Sequence, residues 1–157
     1  MGDRKATIVA SEVKPRIGTN YPAEHAQKCL TREKRALGDM FGLTQFGVNL
    51  TTLPPGCWSS LRHWHRNEDE FVFVIEGEIT LIDDEGPHLL LPGMCAGFKA
   101  GDQNGHHLVN RGSRTAHYLE VGSRMPEEQA VYSDIDMMAT RKAGGPLKTT
   151  RKDGTPY

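Results

Sequence analysis

The chain has 157 residues, of which 37% are hydrophobic and 25% charged, and its formal net charge is −1. This balance is typical of one globular domain with a core large enough to fold alone. Charges of both signs are mixed along the chain, so neither nucleic acid nor an anionic membrane is expected as a partner. No apolar run reaches the roughly 20 residues that span a bilayer. The first five residues, MGDRK, contain no apolar stretch of signal-peptide length, which favours a cytoplasmic location.

Short apolar stretches separated by Gly and Pro turn signals predict an all-β domain. In chain order, we expect strands at residues 7–10, 46–53, 59–64, 70–75, 78–83, 88–91, 94–98, 106–110 and 116–122. Glycine in the turns at 76–77, 84–86 and 92–93 can supply the positive φ that a tight hairpin requires.

Two more polar segments flank this β-rich body and define the predicted domain organisation. The first contains a short helix at 23–28 and a turn near 32–37. The second has few apolar residues and is expected to form a tail that wraps over the body or over a partner subunit. We therefore predict a single domain with an N-terminal arm at 1–45, a β-rich core at about 46–122 and a C-terminal tail at 123–157.

The predicted strand at 70–75 contains the apolar run FVFVI, which places apolar side chains on both of its faces. One face can line the interior of the domain. The other must be covered by the N-terminal segment or by a second subunit. We therefore expect a homodimer, although a covering loop would serve equally well.

The tripeptide His63-Trp64-His65 carries the clearest chemical signal in the chain. Residues i and i+2 of a strand share a face, so both imidazoles point the same way. A polar turn then leads to Glu70, which a hairpin can bring beside the two histidines. Two imidazoles and one carboxylate form a ligand set suited to Fe(II), Mn, Ni, Zn or Co.

The spacing of glycines and histidines around this tripeptide resembles the two sequence motifs of the cupin superfamily. The first motif, with its His-x-His pair, is matched at Gly56, His63, His65, Glu70 and Gly77. The second is matched at Gly93, Gly101, His106 and Asn110. The resemblance implies an all-β fold, the cupin double-stranded β-helix or jelly-roll β-barrel, with the barrel core at about 46–122.

The same resemblance implies one divalent metal ion bound by His63, His65, Glu70 and His106, with coordination positions left open for water or substrate. Asn110 would be a structural hydrogen-bonding residue near that site. The chain departs from the second motif in two places: Lys99 replaces the usual Pro, and the turn before His106 has four residues instead of two. This longer turn leaves His107 as an alternative ligand, although the three-residue spacing to Asn110 favours His106.

Other polar residues near the motifs are expected to have structural roles. Glu68 and Asp69 are predicted to form a solvated acidic loop. Outward orientation is predicted for Arg62, Trp64, His107 and Arg111. No motif surrounds His25, His88 or His117, so surface or core positions are expected for them.

Beyond the two motifs, the chain resembles a subgroup of small bacterial cupins labelled as sugar-phosphate isomerases. The stretches that carry this resemblance are LGD at 37–39, FGVN at 46–49, DEF at 69–71, GHHLVNR at 105–111 and KDGTPY at 152–157. The resemblance implies a metal-dependent isomerase or epimerase acting on a hydroxy-carbonyl or sugar-phosphate-like compound. The only candidate for the catalytic base of such an enzyme is Glu120, if that side chain points inward.

Two other functions remain open at this point. The ligand set also suits an Fe(II)-dependent dioxygenase, and a barrel without an assignable base is compatible with a non-catalytic module that binds or senses a small molecule. Metal content and oxygen uptake would discriminate between these functions.

Overall fold

Thirteen strands and two short helices make up the regular structure of residues 6–157 in a computed structural model; residues 1–5, which entered the prediction of location, lie outside the described part. The strands are β1 Arg16–Ile17, β2 Glu33–Ala36, β3 Phe46–Leu53, β4 His63–His65, β5 Glu70–Glu76, β6 Ile79–Asp83, β7 Gly86–Leu90, β8 Cys95–Phe98, β9 His107–Val109, β10 Ala116–Ser123, β11 Glu128–Tyr132, β12 Met138–Arg141 and β13 Lys148–Thr150. The helices are α1 Ala23–Ala26 and α2 Leu37–Met40, and single 3-10 turns occupy Ala10–Glu12 and Gln27–Cys29.

The strands form two antiparallel layers. One layer is a six-stranded sheet in the order β1-β2-β3-β10-β5-β8. The other consists of a four-stranded sheet, β13-β12-β11-β4, and a three-stranded sheet, β7-β6-β9. Isolated bridges between His63 and His106 and between Trp58 and Val109 join these two smaller sheets. This arrangement is the predicted jelly roll.

The core lies between the layers and follows from the period-two pattern of the strands. On β5, Val72 and Val74 are buried, with 5% and 0% of their surface exposed. They pack in one cluster with Leu53, Ile79, Leu81, Leu90, Leu108 and Tyr118. Burial of each such side chain contributes about 1.5–3 kcal/mol, so the interleaved strands of both layers hold the barrel closed.

Most strand predictions for the barrel are confirmed. The strand at 46–53 has the predicted bounds, and the strands after it differ by one or two residues at their ends, except at 59–64. There, residues 59–62 form an irregular loop and only His63–His65 is extended. The predicted strand at 7–10 is wrong, because this segment is coil that leads into a 3-10 turn.

The flanking segments are more regular than the sequence indicated. The predicted helix at 23–28 is present as α1 and the 3-10 turn that follows it. The turn predicted near 32–37 is instead β2, which pairs with β3 from Arg35↔Leu50 to Glu33↔Thr52. The expected tail does wrap over the body, but it does so as three strands, and β11 pairs directly with β4.

The outer face of β5 is apolar and exposed within this chain. Phe71, Phe73 and Ile75 have 43%, 38% and 46% of their surface accessible. Their strand neighbours on the same sheet include Leu119, opposite Phe73, and Val121, opposite Phe71. The N-terminal segment leaves these side chains uncovered in the described part of the chain. The helices within residues 6–157 are too short to cross a membrane.

Asn110 lies at the end of the second motif, and its side chain connects the end of β3 to the loop that follows β9. Its side chain is fully buried, and its Nδ2 donates hydrogen bonds to the carbonyl oxygens of Leu53 and Arg114 at 2.7 and 2.8 Å. Its Oδ1 accepts a hydrogen bond from the backbone N–H of Gly112 at 2.9 Å. A compact amide that satisfies two acceptors and one donor explains why the barrel corner requires Asn here.

We predict that Asn110→Ala lowers the free energy of unfolding by about 2–4 kcal/mol, because it leaves buried backbone groups without partners. Chemical denaturation followed by circular dichroism measures this change. The matched control is Asn20→Ala at an exposed position, which should shift stability by less than about 0.5 kcal/mol. Equal stability of the two variants would contradict the structural role of Asn110.

Candidate metal centre

Two strands bring the histidines of both motifs together. His63 and His65 share one face of β4, as the period-two rule requires. His106 immediately precedes β9, and its backbone pairs with that of His63. The two hydrogen bonds of this bridge measure 3.1 Å from His63 N to His106 O and 2.9 Å from His106 N to His63 O. The bridge sets the distance between the two motifs.

Four side-chain atoms converge at this point on the inner wall of the barrel. Nε2 of His106 lies 2.9 Å from Oε2 of Glu70, and Nε2 of His65 lies 3.4 Å from the same oxygen. Nε2 of His63 is 3.1 Å from Nε2 of His65 and 4.0 Å from Oε2 of Glu70. The structure therefore brings together all the side chains that the cupin motifs nominate as ligands.

These separations fit a metal ion. Metal–nitrogen and metal–oxygen bonds of about 2.0–2.2 Å place neighbouring ligand atoms roughly 2.8–3.6 Å apart in octahedral or tetrahedral geometry. Ligand atoms of His63, Glu70 and His106 all lie within 4.8 Å of one another. Two imidazole nitrogens facing each other at 3.1 Å, as those of His63 and His65 do, are stable when they share a cation or a proton.

The electrostatics also suit coordination. Burial, together with the neighbouring His65 and His106, lowers the pKa of His63 to about 3, although the Glu70 carboxylate partly opposes this shift. Burial would raise the pKa of Glu70, but contacts with the histidines, first of all His106, hold it well below its usual range. A neutral imidazole and an ionised carboxylate are the forms that bind a metal.

Neighbouring groups fix the orientation of two of the rings. Nδ1 of His63 is 2.8 Å from the carbonyl oxygen of Leu61, so Nδ1–H donates there and Nε2 keeps its lone pair. The ring of Phe98 stacks on that of His106, with centroids 3.4 Å apart and planes at 1°. Both arrangements direct Nε2 into the same space.

The C-terminal segment supplies a residue beside His65. Ala130 of β11 pairs with His65, and this register places the Glu128 carboxylate 3.5 Å from His65 Nδ1. Burial lowers the pKa of His65, but Glu128 and Glu70 outweigh burial and raise it above its ordinary value. Burial would raise the pKa of Glu128, but the contact with His65 lowers it, so the carboxylate is ionised.

The ligand side chains open into a cavity of about 280 Å³ between the layers. On its wall, Nζ of Lys34 lies 2.6 Å from Oε1 of Glu120. Nδ2 of Asn49 donates a hydrogen bond to the same oxygen at 3.1 Å. Glu120, the residue nominated as a base, therefore points inward and shares a cavity with the candidate ligands.

Other polar groups of this cavity have no partner within the described part of the chain. The hydroxyl group of Tyr118 and Nε of Arg32 are buried and make no hydrogen bond. The two terminal nitrogens of Arg32 do donate, to the carbonyl oxygens of Ser59 and Gly18. Both residues line the cavity, but these two atoms are themselves shielded from its interior, so they offer no donor to a ligand there.

The remaining histidines lie elsewhere. His107 packs edge-on against Trp58, with ring centroids 4.5 Å apart, and its Nδ1 donates to the carbonyl oxygen of Ser60 at 2.9 Å. It lies outside the cluster of candidate ligands, whereas His106 lies within it. The others contact partners away from this cluster: His25 contacts Tyr157, His88 contacts Asp83 and His117 contacts Thr52.

The acidic turn before Glu70 is only partly the solvated loop that the sequence suggested, because Asp69 is exposed and Glu68 is not. Glu68 is largely buried and forms an ion pair with Arg141 of β12. Asp69 accepts a hydrogen bond from the backbone N–H of Ala100 at 2.8 Å. No local pattern indicates these partners, because they lie 73 and 31 residues farther along the chain. Arg62, by contrast, faces outward as predicted and pairs with Asp84 and Asp134.

Lys34, Arg32 and Glu128 were not nominated from the sequence. All three lie in the polar flanks, where no motif marks them. The β-branched and aromatic pair Val131 and Tyr132 in EQAVY, the sequence of β11, is the one local signal that could have indicated a strand. It could not have indicated that the strand pairs with β4.

Comparison with known proteins agrees with this architecture. The profile of the Cupin domain family matches residues 49–122. A structure of a cupin-superfamily sugar phosphate isomerase from Silicibacter pomeroyi is 49% identical, covers 96% of both chains and superposes with a TM-score of 0.91. No curated protein matches the chain.

More distant structures share the fold. A candidate sugar phosphate isomerase from Acidithiobacillus ferrooxidans is 27% identical over 81% of this chain and 80% of its own, with a TM-score of 0.73. A polyketide cyclase from Streptomyces resistomycificus is 21% identical over 76% of this chain and 79% of its own, with a TM-score of 0.63, and shows the fold alone. On its motifs, its jelly roll and its close structural relative, the chain belongs to the cupin superfamily.

Proposed function

We propose that this cupin is a metal-dependent isomerase or epimerase that acts on a small anionic hydroxy-carbonyl compound of the sugar-phosphate type. One observation carries the proposal. The candidate ligands His63, His65, Glu70 and His106 line the same cavity as a carboxylate that can move a proton, Glu120. The name of the Silicibacter pomeroyi relative supports this class of reaction.

The ligand set supports one divalent ion held by three imidazoles and one carboxylate. Zn, Mn, Fe, Ni and Co all accept such ligands, so the residues define the site without selecting the element. When bound, the ion would supply Lewis-acid polarisation of the substrate's carbonyl and hydroxyl oxygens. Its coordination positions toward the cavity would be available for that purpose.

The charges of the cavity favour an anionic substrate. Arg16, Arg32 and Lys34 line it, against the two carboxylates of Glu70 and Glu120. A divalent ion would add to this positive excess. An anionic group, such as a phosphate or carboxylate, would offset it and would find donors on the cavity wall.

Glu120 can act as the base because of how it is held. Both of its described contacts, from Lys34 and Asn49, fall on Oε1, so Oε2 is the oxygen that can accept a proton. The contact with the ammonium group of Lys34 keeps the carboxylate in place. In an isomerisation, Glu120 would take a proton from one carbon of the substrate and return it to the neighbouring carbon, while the hydroxyl proton moves from one substrate oxygen to the other. An epimerisation would also require a second acid on the opposite face of the carbon.

We also propose that the exposed face of β5 packs against a second copy of the chain. Phe71, Phe73 and Ile75 form an apolar strip on a sheet face, and a two-fold axis would match this strip with itself.

The three cysteines, Cys29, Cys57 and Cys95, are free thiols. This state suits the cytoplasmic location that we propose.

His65→Ala is predicted to remove most of the metal from the protein, because it deletes one of the four ligands. After stripping with chelator, loading with Zn²⁺ and dialysis, elemental analysis should find about one ion per wild-type chain and far less in the variant. His88→Ala, at an exposed histidine, is the control and should retain its zinc. Full stoichiometry in the His65 variant would contradict the assignment.

Glu120→Gln is predicted to lower turnover by about 10²–10⁴-fold, because an amide cannot accept the substrate proton. Metal-loaded protein is incubated with a panel of aldose and ketose phosphates in D₂O, and deuterium incorporation next to the carbonyl is followed by NMR. Glu33→Gln, on β2 and outside the residues that line the cavity, should behave as wild type. Oxygen consumption without deuterium incorporation would instead establish a dioxygenase. The absence of both signals would favour a binding module.

Phe73→Glu is predicted to convert a dimer into a monomer, since it places a charge at the centre of the apolar strip. Sedimentation velocity should give about twice the chain mass of 17.4 kDa for wild type and the single mass for the variant. Leu89→Glu, an exposed apolar residue on β7 in the other layer, should leave the dimer intact. A monomeric wild-type protein would refute this interface.

A further inference from the structure

A second carboxylate stands behind the candidate metal site. Glu128, the first residue of β11, keeps only 3% of its side-chain surface exposed. Its two oxygens accept hydrogen bonds from backbone N–H groups, Oε1 from Arg66 at 2.9 Å and Oε2 from Asn67 at 3.0 Å. A buried carboxylate fixed at both oxygens has a defined position and keeps its negative charge.

That position is next to the free nitrogen of a ligand. Nδ1 of His65 is buried and has no hydrogen-bond partner within residues 6–157. Oε1 of Glu128 lies 3.5 Å from it, just beyond hydrogen-bond length. Nε2 of the same ring faces His63 and Glu70 in the ligand cluster. The two nitrogens of His65 thus face a carboxylate on one side and the metal site on the other.

We propose that Glu128 is a positioning residue for the metal centre: it accepts the Nδ1–H of His65 and so presents Nε2 of that ring to the ion. This inference rests on the proposed metal binding by His65. A carboxylate that holds the far nitrogen fixes the tautomer, orients the ring and increases the basicity of the ligating nitrogen. The same task falls to the Leu61 carbonyl at His63.

Glu68 also lies near His65 and Glu128, so these three side chains could themselves form a second metal site. Their existing partners argue against it. Glu68 forms an ion pair with Arg141 and accepts a hydrogen bond from the backbone N–H of Met125 at 2.9 Å. Glu128 already accepts two backbone hydrogen bonds. Carboxylates that already accept hydrogen bonds are better suited to orient His65 than to bind a cation.

The arrangement makes the C-terminal segment part of the metal centre. Glu128 reaches His65 because β11 pairs with β4 in the register Ala130↔His65 and Tyr132↔His63. Tyr132 of the same strand packs on His63, with ring centroids 5.5 Å apart. Each histidine of β4 is therefore supported by a side chain of β11.

The test is the zinc affinity of the full-length protein, measured by competition with a chromophoric chelator at fixed pH. Glu128→Gln keeps the size of the side chain but removes its charge, and it is expected to weaken zinc binding by about 10–100-fold. Glu127→Gln makes the same charge change at the exposed neighbouring position and should change the affinity by less than about twofold. Glu128→Asp, which keeps the charge but draws it back from His65, should lie between wild type and Glu128→Gln.

A second measurement separates positioning from loss of stability. Thr140→Gly weakens β12, the strand beside β11, without touching the carboxylate or the cavity. Its unfolding midpoint should fall, while its zinc affinity and the visible absorption bands of its Co²⁺-loaded form should match wild type. The bands of Glu128→Gln should shift, since they report the ligand environment of the ion.

Three results would overturn the assignment. Wild-type zinc affinity and Co²⁺ bands in Glu128→Gln would show that Glu128 does not act on His65. Two zinc ions per wild-type chain, with one lost in Glu128→Gln, would make Glu128 a ligand of a second site. If the wild-type protein binds neither zinc nor Co²⁺, the proposed metal centre itself is wrong, and the role of Glu128 is wrong with it.

Discussion

The backbone bridge between His63 and His106 is the contact on which the rest of the site depends. It joins β4 and β9, the neighbouring strands of the two smaller sheets, with hydrogen bonds of 3.1 and 2.9 Å. Because side chains of bridged residues project to the same side, the two imidazoles reach the barrel interior together. Glu70 meets them from the other layer, at the start of β5. The site therefore forms only where both layers of the jelly roll are correctly packed.

The site and the cavity have different electrostatic characters. Around the ligands, burial keeps His63 neutral while the Glu70 carboxylate remains charged, an arrangement that favours a cation. Farther into the cavity, cationic side chains outnumber carboxylates, and the charge of Glu120 is neutralised by Lys34. A ligand that carries both a pair of chelating oxygens and an anionic group would fit a cation site beside a positively charged wall.

The ligands could be predicted from the sequence because they depend on short-range geometry. The period of a strand places His63 and His65 on one face, and the spacing to Asn110 favoured His106 over His107; in the structure His106 lies in the cluster of candidate ligands and His107 packs against Trp58. The partners of those ligands could not be predicted in this way. Glu128 reaches His65 through a strand pairing that spans more than 60 residues, and local patterns carry no information on such pairings. For the same reason, β2 and the strands of the C-terminal segment were expected to be turn and tail.

The central claim is that three imidazoles and one carboxylate hold a single ion, and X-ray absorption spectroscopy of the zinc-loaded protein tests it most directly. The account predicts an inner shell of nitrogen and oxygen atoms at about 2.0–2.2 Å, with the outer-shell multiple scattering of about three imidazole rings. An inner shell without imidazole scattering, or one containing sulfur, would contradict it.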